Sequence, residues 1–168
     1  MNKGQLISGD FFLSMGIFLT VLGISLVIFN YVSLRIIDNQ EEDFMHTVAT
    51  ATADVLINTE GSPRNWNETN VRSVGLESNG FLNRSKVIRM VGMDYDSLRN
   101  ALRIKPYEMR ITFNGINGSV LNLSGTELQI GTEPDVKSQI VKIQRSALIT
   151  NSSSRIIAVV NFILWRPI

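Results

Sequence analysis

The sequence predicts an α+β protein: a long N-terminal helix, apolar all round in its first half and amphipathic in its second, packed on an antiparallel β-sheet head with short helices. Three observations predict it. No charged residue occurs between Asp10 and Arg35. No Pro or Gly interrupts the chain from Ile24 to Glu60. From Pro106 onward, period-two alternation replaces helical spacing.

The uncharged run from Phe11 is about 24 residues, or roughly 36 Å as a helix, against a hydrocarbon core about 30 Å thick. It exceeds the h-region of a secretory signal, and Tyr31-Val32-Ser33-Leu34-Arg35 offers no small-residue cleavage site. A retained membrane helix over residues 5–35 is therefore expected. Beyond it, Ile36, Ile37, Phe44, Val48, Ala51, Val55 and Leu56 recur at spacings near three and four. These define an amphipathic continuation over 36–60 that docks its apolar stripe on the head. Gly61-Ser62-Pro63 ends the helix near Asn58, and the head occupies 61–168.

Within the head, Arg64–Asn70 reads as a polar loop holding Trp66, and Val71–Leu76 as a short strand. Asn79-Gly80 signals a turn. Asn83 caps a helix reaching Met90, and Asp94 caps another over Tyr95–Leu102. Tyr107, Met109, Ile111 and Phe113 alternate with polar residues as a half-buried strand. Asn114-Gly115 and Asn117-Gly118 mark a turn, followed by short strands between Val120 and Ile130 broken at Ser124-Gly125. Ser138–Ile149 is a long strand, Asn151–Ser154 a turn, and Ile156–Trp165 a central strand covered on both faces.

Composition excludes several chemistries. A net charge of +1 gives no basic surface for nucleic acid. With no Cys and one His, neither a Cys nucleophile, a thiolate metal site nor a multi-His zinc site is available. His46 sits among acidic residues on the solvent side of the helix. Nucleotide-binding and nucleophile-elbow glycine motifs do not occur. Asp94, Asp96, Glu127, Glu133 and Asp135 are loop acids expected to face water. No cofactor, metal or catalytic residue is expected, and the protein is not expected to be an enzyme.

Two features remain. Five N-x-S/T sequons, at Asn67, Asn83, Asn117, Asn122 and Asn151, all follow the apolar run, so an extracellular, glycosylated head is expected, with the N-terminus cytoplasmic. The flanking basic residues, Lys3 and Arg35, code orientation only weakly. Asp10 stands at the mouth of the apolar run, where an unpaired carboxylate entering lipid costs a few kcal/mol. The headgroup layer or the helix dipole would tolerate it; so would a cation supplied when apolar helices bundle.

In Lys3-Gly4-Gln5, Ser8, Asp10 and the run Phe11–Phe29, the chain resembles archaeal type IV pilin-like precursors with a class III signal peptide. Thr59–Asn67 and Val74-Gly75-Leu76 are also similar to heads of such proteins. The resemblance implies a leader of residues 1–4, or 1–5, recognised through Lys3, Gly4 and Gln5 and removed by a prepilin peptidase-like enzyme. It implies a mature helix packed in the core of a cell-surface filament, with Asp10 contacting the free amine of a neighbouring subunit. Cutting after Gly4 leaves Gln first but puts Ser8 and Asp10 one place beyond the family's positions. Cutting after Gln5 restores those positions and puts Gln before the bond. The former is favoured, with the leader extended.

Gly9, Gly16 and Gly23, seven residues apart, would let helix backbones approach closely during assembly, or simply reflect the frequency of Gly in membrane helices. The expected function is thus a major or minor pilin-like subunit of a type IV pilus-like filament, with cell adhesion among its roles. Its expected partners are membrane lipid, the leader peptidase, its own copies and other pilin-like subunits. The alternative is a non-polymerising, single-pass, membrane-anchored extracellular binding module; an anchored enzyme is the least favoured reading.

Overall fold

A computed structural model describes residues 3–135, 138–151 and 154–167, without the side chains of 3–8, 34–39, 151 and 154. The chain divides into two compact units, Met1–Glu41 and Glu42–Ile168. Helix α1 (Lys3–Asn58) is continuous; no Pro interrupts it, and its glycines stand singly. It begins at Lys3, within the leader expected from sequence to be extended; Gly4 weakens a helix there but, unlike Pro, does not forbid one. It ends where Thr59 turns its hydroxyl onto the carbonyl of Val55, at 2.7 Å, and Gly61 takes a left-handed conformation at φ +79°.

After α1 come β1 (Glu77–Ser78), β2 (Phe81–Asn83), α2 (Arg84–Val91), α3 (Tyr95–Leu102) and β3 (Glu108–Asn114). The chain continues through β4 (Asn122–Leu123), β5 (Thr126–Glu127), β6 (Gln129–Gly131), β7 (Ile140–Asn151) and β8 (Ser154–Trp165). Strands β1-β2-β7-β8-β3-β6 form one sheet in that order, and β4-β5 form a separate ribbon. All pairings in the large sheet are antiparallel except β2 with β7, which run parallel through Leu82↔Ile149 and Asn83↔Thr150. The sheet is therefore mixed rather than wholly antiparallel. A 56-residue separation joins β2 to β7 through α2, α3 and the β3–β6 strands, so no tight turn dictates their relative direction.

The core is one cluster shared by the end of α1, the two short helices and one face of the sheet. From α1 it takes Met45, Ala49, Ala53 and Leu56. Of the expected stripe, Leu56 is buried and Val48 packs against the core, but Phe44 is 60% exposed and Val55 41% exposed, so the buried face is centred about one position away. Both stripes have helical spacing. The buried one carries the alanines, whose small side chains admit close packing. Arg145 pairs with Asp54 at 2.9 Å, and Gln139 donates to Glu42 at 3.0 Å, both at the margin of this packing.

Val71–Leu76 is not a strand. Trp66, fully buried, donates its indole N–H to the carbonyl of Gly75 at 2.8 Å, while Leu76 N–H reaches the carbonyl of Leu56 at 2.8 Å. Val74 and Leu76 are buried here against the helix end, so burial without a ladder produced the apolar signal. On β8, Ala158, Val160, Phe162 and Leu164 fill the core. On the opposite face Asn161 and Trp165 are buried but Ile157 is 48% exposed, so coverage of that face is partial. Asn161 is satisfied in register, accepting from Gln144 of β7 at 2.6 Å and donating to Thr112 of β3 at 3.3 Å.

Candidate functional site

The first unit carries the chemistry that sequence singled out. Gly9–Ser33 is a 25-residue helical span of mean hydropathy 2.5, none of it buried within the chain. It is long and apolar enough to cross a membrane. Its polar side chains satisfy themselves locally: Ser14 donates to the carbonyl of Phe11 at 3.0 Å, Thr20 to that of Gly16 at 2.8 Å, and Asn30 to that of Leu26 at 3.0 Å. Such back-bonding is what a helix needs where water is absent.

Asp10 is exposed at the start of this span. Gly9, Gly16 and Gly23 have open space where a Cβ would project, with nothing within 4 Å. Seven residues make nearly two helical turns, so the three glycines share one face. Sequence reasoning missed that Asn30 continues the same interval; the repeat itself was the available signal. A shallow depression at Gly16 is lined by Phe12, Leu13, Ile17, Thr20 and Val21. Lys3, Gly4 and Gln5 lie on helical backbone, and their side chains are outside the described region.

In the second unit the acids are occupied structurally. Asp94 caps α3, accepting from Ser97 N–H and hydroxyl at 3.0 Å each; those bonds, the backbone one foremost, hold its carboxyl below the usual range. Asp96 and Glu108 both pair with Arg99, at 3.2 and 3.0 Å. Glu133 pairs with Arg110, and Glu127 accepts from Gln129 at 2.9 Å. Among the described residues no group of three or more His, Asp or Glu is arranged to hold a metal ion. His46 is exposed.

One buried cation stands out. Lys86 of α2 is 8% exposed and donates to the carbonyls of Glu60, at 2.8 Å, and Glu77, at 3.2 Å. It ties the loop after α1 to β1. Loss of hydration lowers its pKa, against the opposing pull of the Glu60 and Glu77 carboxylates. Helical spacing alone placed Lys86 on an ordinary amphipathic turn and gave no sign of this role.

The sequons fall in different settings. Asn67 and Asn117 are exposed in turns, Asn122 is exposed in β4, and Asn83 is half-buried between β2 and α2. Asn151 ends β7, its side chain outside the described region. No protein-family model, no curated protein and no solved structure matches this chain.

Proposed function

We propose that the chain is a pilin-like structural subunit, major or minor, of a type IV pilus-like surface filament. One observation carries the reading: a 25-residue apolar helical span, unburied within its own chain, opens with a carboxylate at Asp10 and leads into a separately compact α+β unit. So much apolar surface requires lipid or other helices around it. The Lys3-Gly4-Gln5 leader supplies the conversion between the two. Before cleavage, lipid surrounds the helix, with the N-terminus cytoplasmic and the head extracellular. Cleavage after Gly4 or Gln5 exposes a cationic amine a few residues from Asp10. In a bundle, the amine of one subunit then neutralises Asp10 of the next. Pairing removes the cost of an unpaired carboxylate in apolar surroundings, and so favours the bundle over a helix whose Asp10 is drawn into lipid alone. Heterologous contacts of this kind repeat without closure and build a filament.

N-terminal sequencing of the native protein tests this. A mature chain beginning at Gln5 or Leu6 is expected, with Asp10→Ala reducing sheared filament yield while the head stays folded. A chain retaining Met1 and remaining monomeric in the membrane would instead identify an anchored binding module.

A further inference from the structure

The five sequons are equivalent in sequence and unequal in the fold. At Asn67 the carboxamide oxygen accepts from Thr69 N–H at 3.0 Å, from the Thr69 hydroxyl at 2.8 Å and from Asn70 N–H at 3.1 Å. At Asn117 it accepts from Ser119 N–H at 3.2 Å and from the Ser119 hydroxyl at 2.8 Å. Each asparagine is exposed in a turn outside the main sheet, and the neighbour of Asn117, Ile116, is 79% exposed. Gly115 permits the second turn, since a Cβ there would lie 2.9 Å from the Asn117 oxygen. In both turns every hydrogen bond to the carboxamide is accepted by its oxygen, so on these exposed residues the nitrogen, the atom a glycan would join, is not tied to the protein.

Asn83 differs in being half-buried where β2 passes into α2. Its side-chain oxygen caps α2 through Ser85 and Lys86 N–H, at 2.9 and 3.2 Å. Its own N–H is held by the carbonyl of Leu76 at 2.8 Å, and its strand pairs with β7 at Thr150. Asn67 accepts the same pair of N–H groups, so the backbone is what sets Asn83 apart: a transferase reading this sequon would have to draw a half-buried strand out of the sheet. At Asn122 the backbone is paired across to Glu127, the carboxamide oxygen accepts from Gly125 N–H at 2.9 Å, and the Arg84 guanidinium donates to Ser124, so the whole sequon is held on the ribbon and tied to α2.

We infer that Asn67 and Asn117 are N-glycosylation sites of the folded head and that Asn83 and Asn122 stay unmodified. The donor is a lipid-linked oligosaccharide. Nδ2 bonds to the anomeric carbon, the anomeric C–O bond breaks with its electron pair passing to the lipid phosphate, and the displaced amide proton goes to a base of the transferase. The assignment rests on the extracellular head proposed above. Its placement of sugar on two turns gives the head a hydrated surface at two defined points.

Glycopeptide mass spectrometry of the full chain from its native membrane tests the assignment. Expected are glycan on the Asn67 and Asn117 peptides and bare Asn83 and Asn122 peptides. Thr69→Ala and Ser119→Ala each lose one glycan increment, and Thr69→Ser keeps it, which separates loss of the hydroxyl from misfolding. Bare Asn67 and Asn117, or Asn83 occupied as fully as Asn67, overturns the assignment. Protease treatment of intact cells locates the fault. A digested but bare head defeats the assignment alone; a bare head protected until lysis defeats the outward topology with it.

Discussion

Tyr95 and Lys86 show how two side chains of the head answer the same change in pH with opposite signs. The Tyr95 hydroxyl bonds to the Glu108 carboxylate at 2.6 Å and accepts Met109 N–H at 3.0 Å. Burial, then the Glu108 hydrogen bond, raise its pKa above the ordinary 10.0, against the nearby Arg99. A raised folded value means the native state keeps a proton that the unfolded chain releases, so the contribution is complete below pH 10 and declines above it. Lys86 is lowered from 10.5, so its native form sheds a proton first, and stability gains as pH climbs through the interval ending at 10.5. In detergent-solubilised full chain, Tyr95→Phe is expected to cost about 1–2 kcal/mol at pH 7, a deficit that narrows above pH 10. Lys86→Met, which leaves two carbonyls without their donor, is expected to cost about 1–3 kcal/mol at pH 7, with a deficit that widens as pH climbs towards 10.5. Denaturant titrations at three pH values check both; parallel behaviour of the two variants would refute the pairing.

At the scale of elements, the short helices and the β3, β7 and β8 strands were legible because capping residues and alternation are local signals. Asn83 and Asp94 cap the helices that sequence assigned to them, and Arg103 closes α3 in a left-handed conformation. Three things were not legible. The stripe of α1 that is buried depends on whether Met45 or Phe44 meets the sheet, and helical periodicity serves both equally. The parallel rung between β2 and β7 depends on where distant segments meet. The segment around Gly75 looks like a strand because buried irregular chain is as apolar as a strand. Its packing is tight: a Cβ on Gly75 would collide with the backbone of Gly61 and Thr59. Gly75→Ala is therefore expected to destabilise the head by about 1–3 kcal/mol, read as an earlier denaturant midpoint, with far-UV helicity in the native baseline unchanged. A variant as stable as wild type would show that the two backbone segments part easily.

For the whole molecule, the apolar span was the plainest sequence feature, because the uncharged run from Phe11 to Leu34 needs no tertiary context to recognise. What surrounds that span lies beyond one chain, so neither periodicity nor composition specifies it. A substitution at Gly16 separates the possibilities: its open surroundings mean Gly16→Leu leaves the single chain's fold undisturbed. If the seven-residue seam joins copies, the same change prevents close backbone approach. Filament yield is then expected to fall sharply while membrane insertion and head stability stay at wild-type levels; undiminished filaments would exclude the seam.

Met45, Ala49, Ala53 and Leu56 make the final turns of α1 one wall of the interior. A protease severing the chain ahead of Glu42 would liberate a fragment with its interior whole. A cut near Asn58 would strip away that wall and leave a remnant prone to clump. Expression boundaries for solution work follow from this: the first residue belongs upstream of Met45, although the predicted amphipathic boundary at 60 invites a later start.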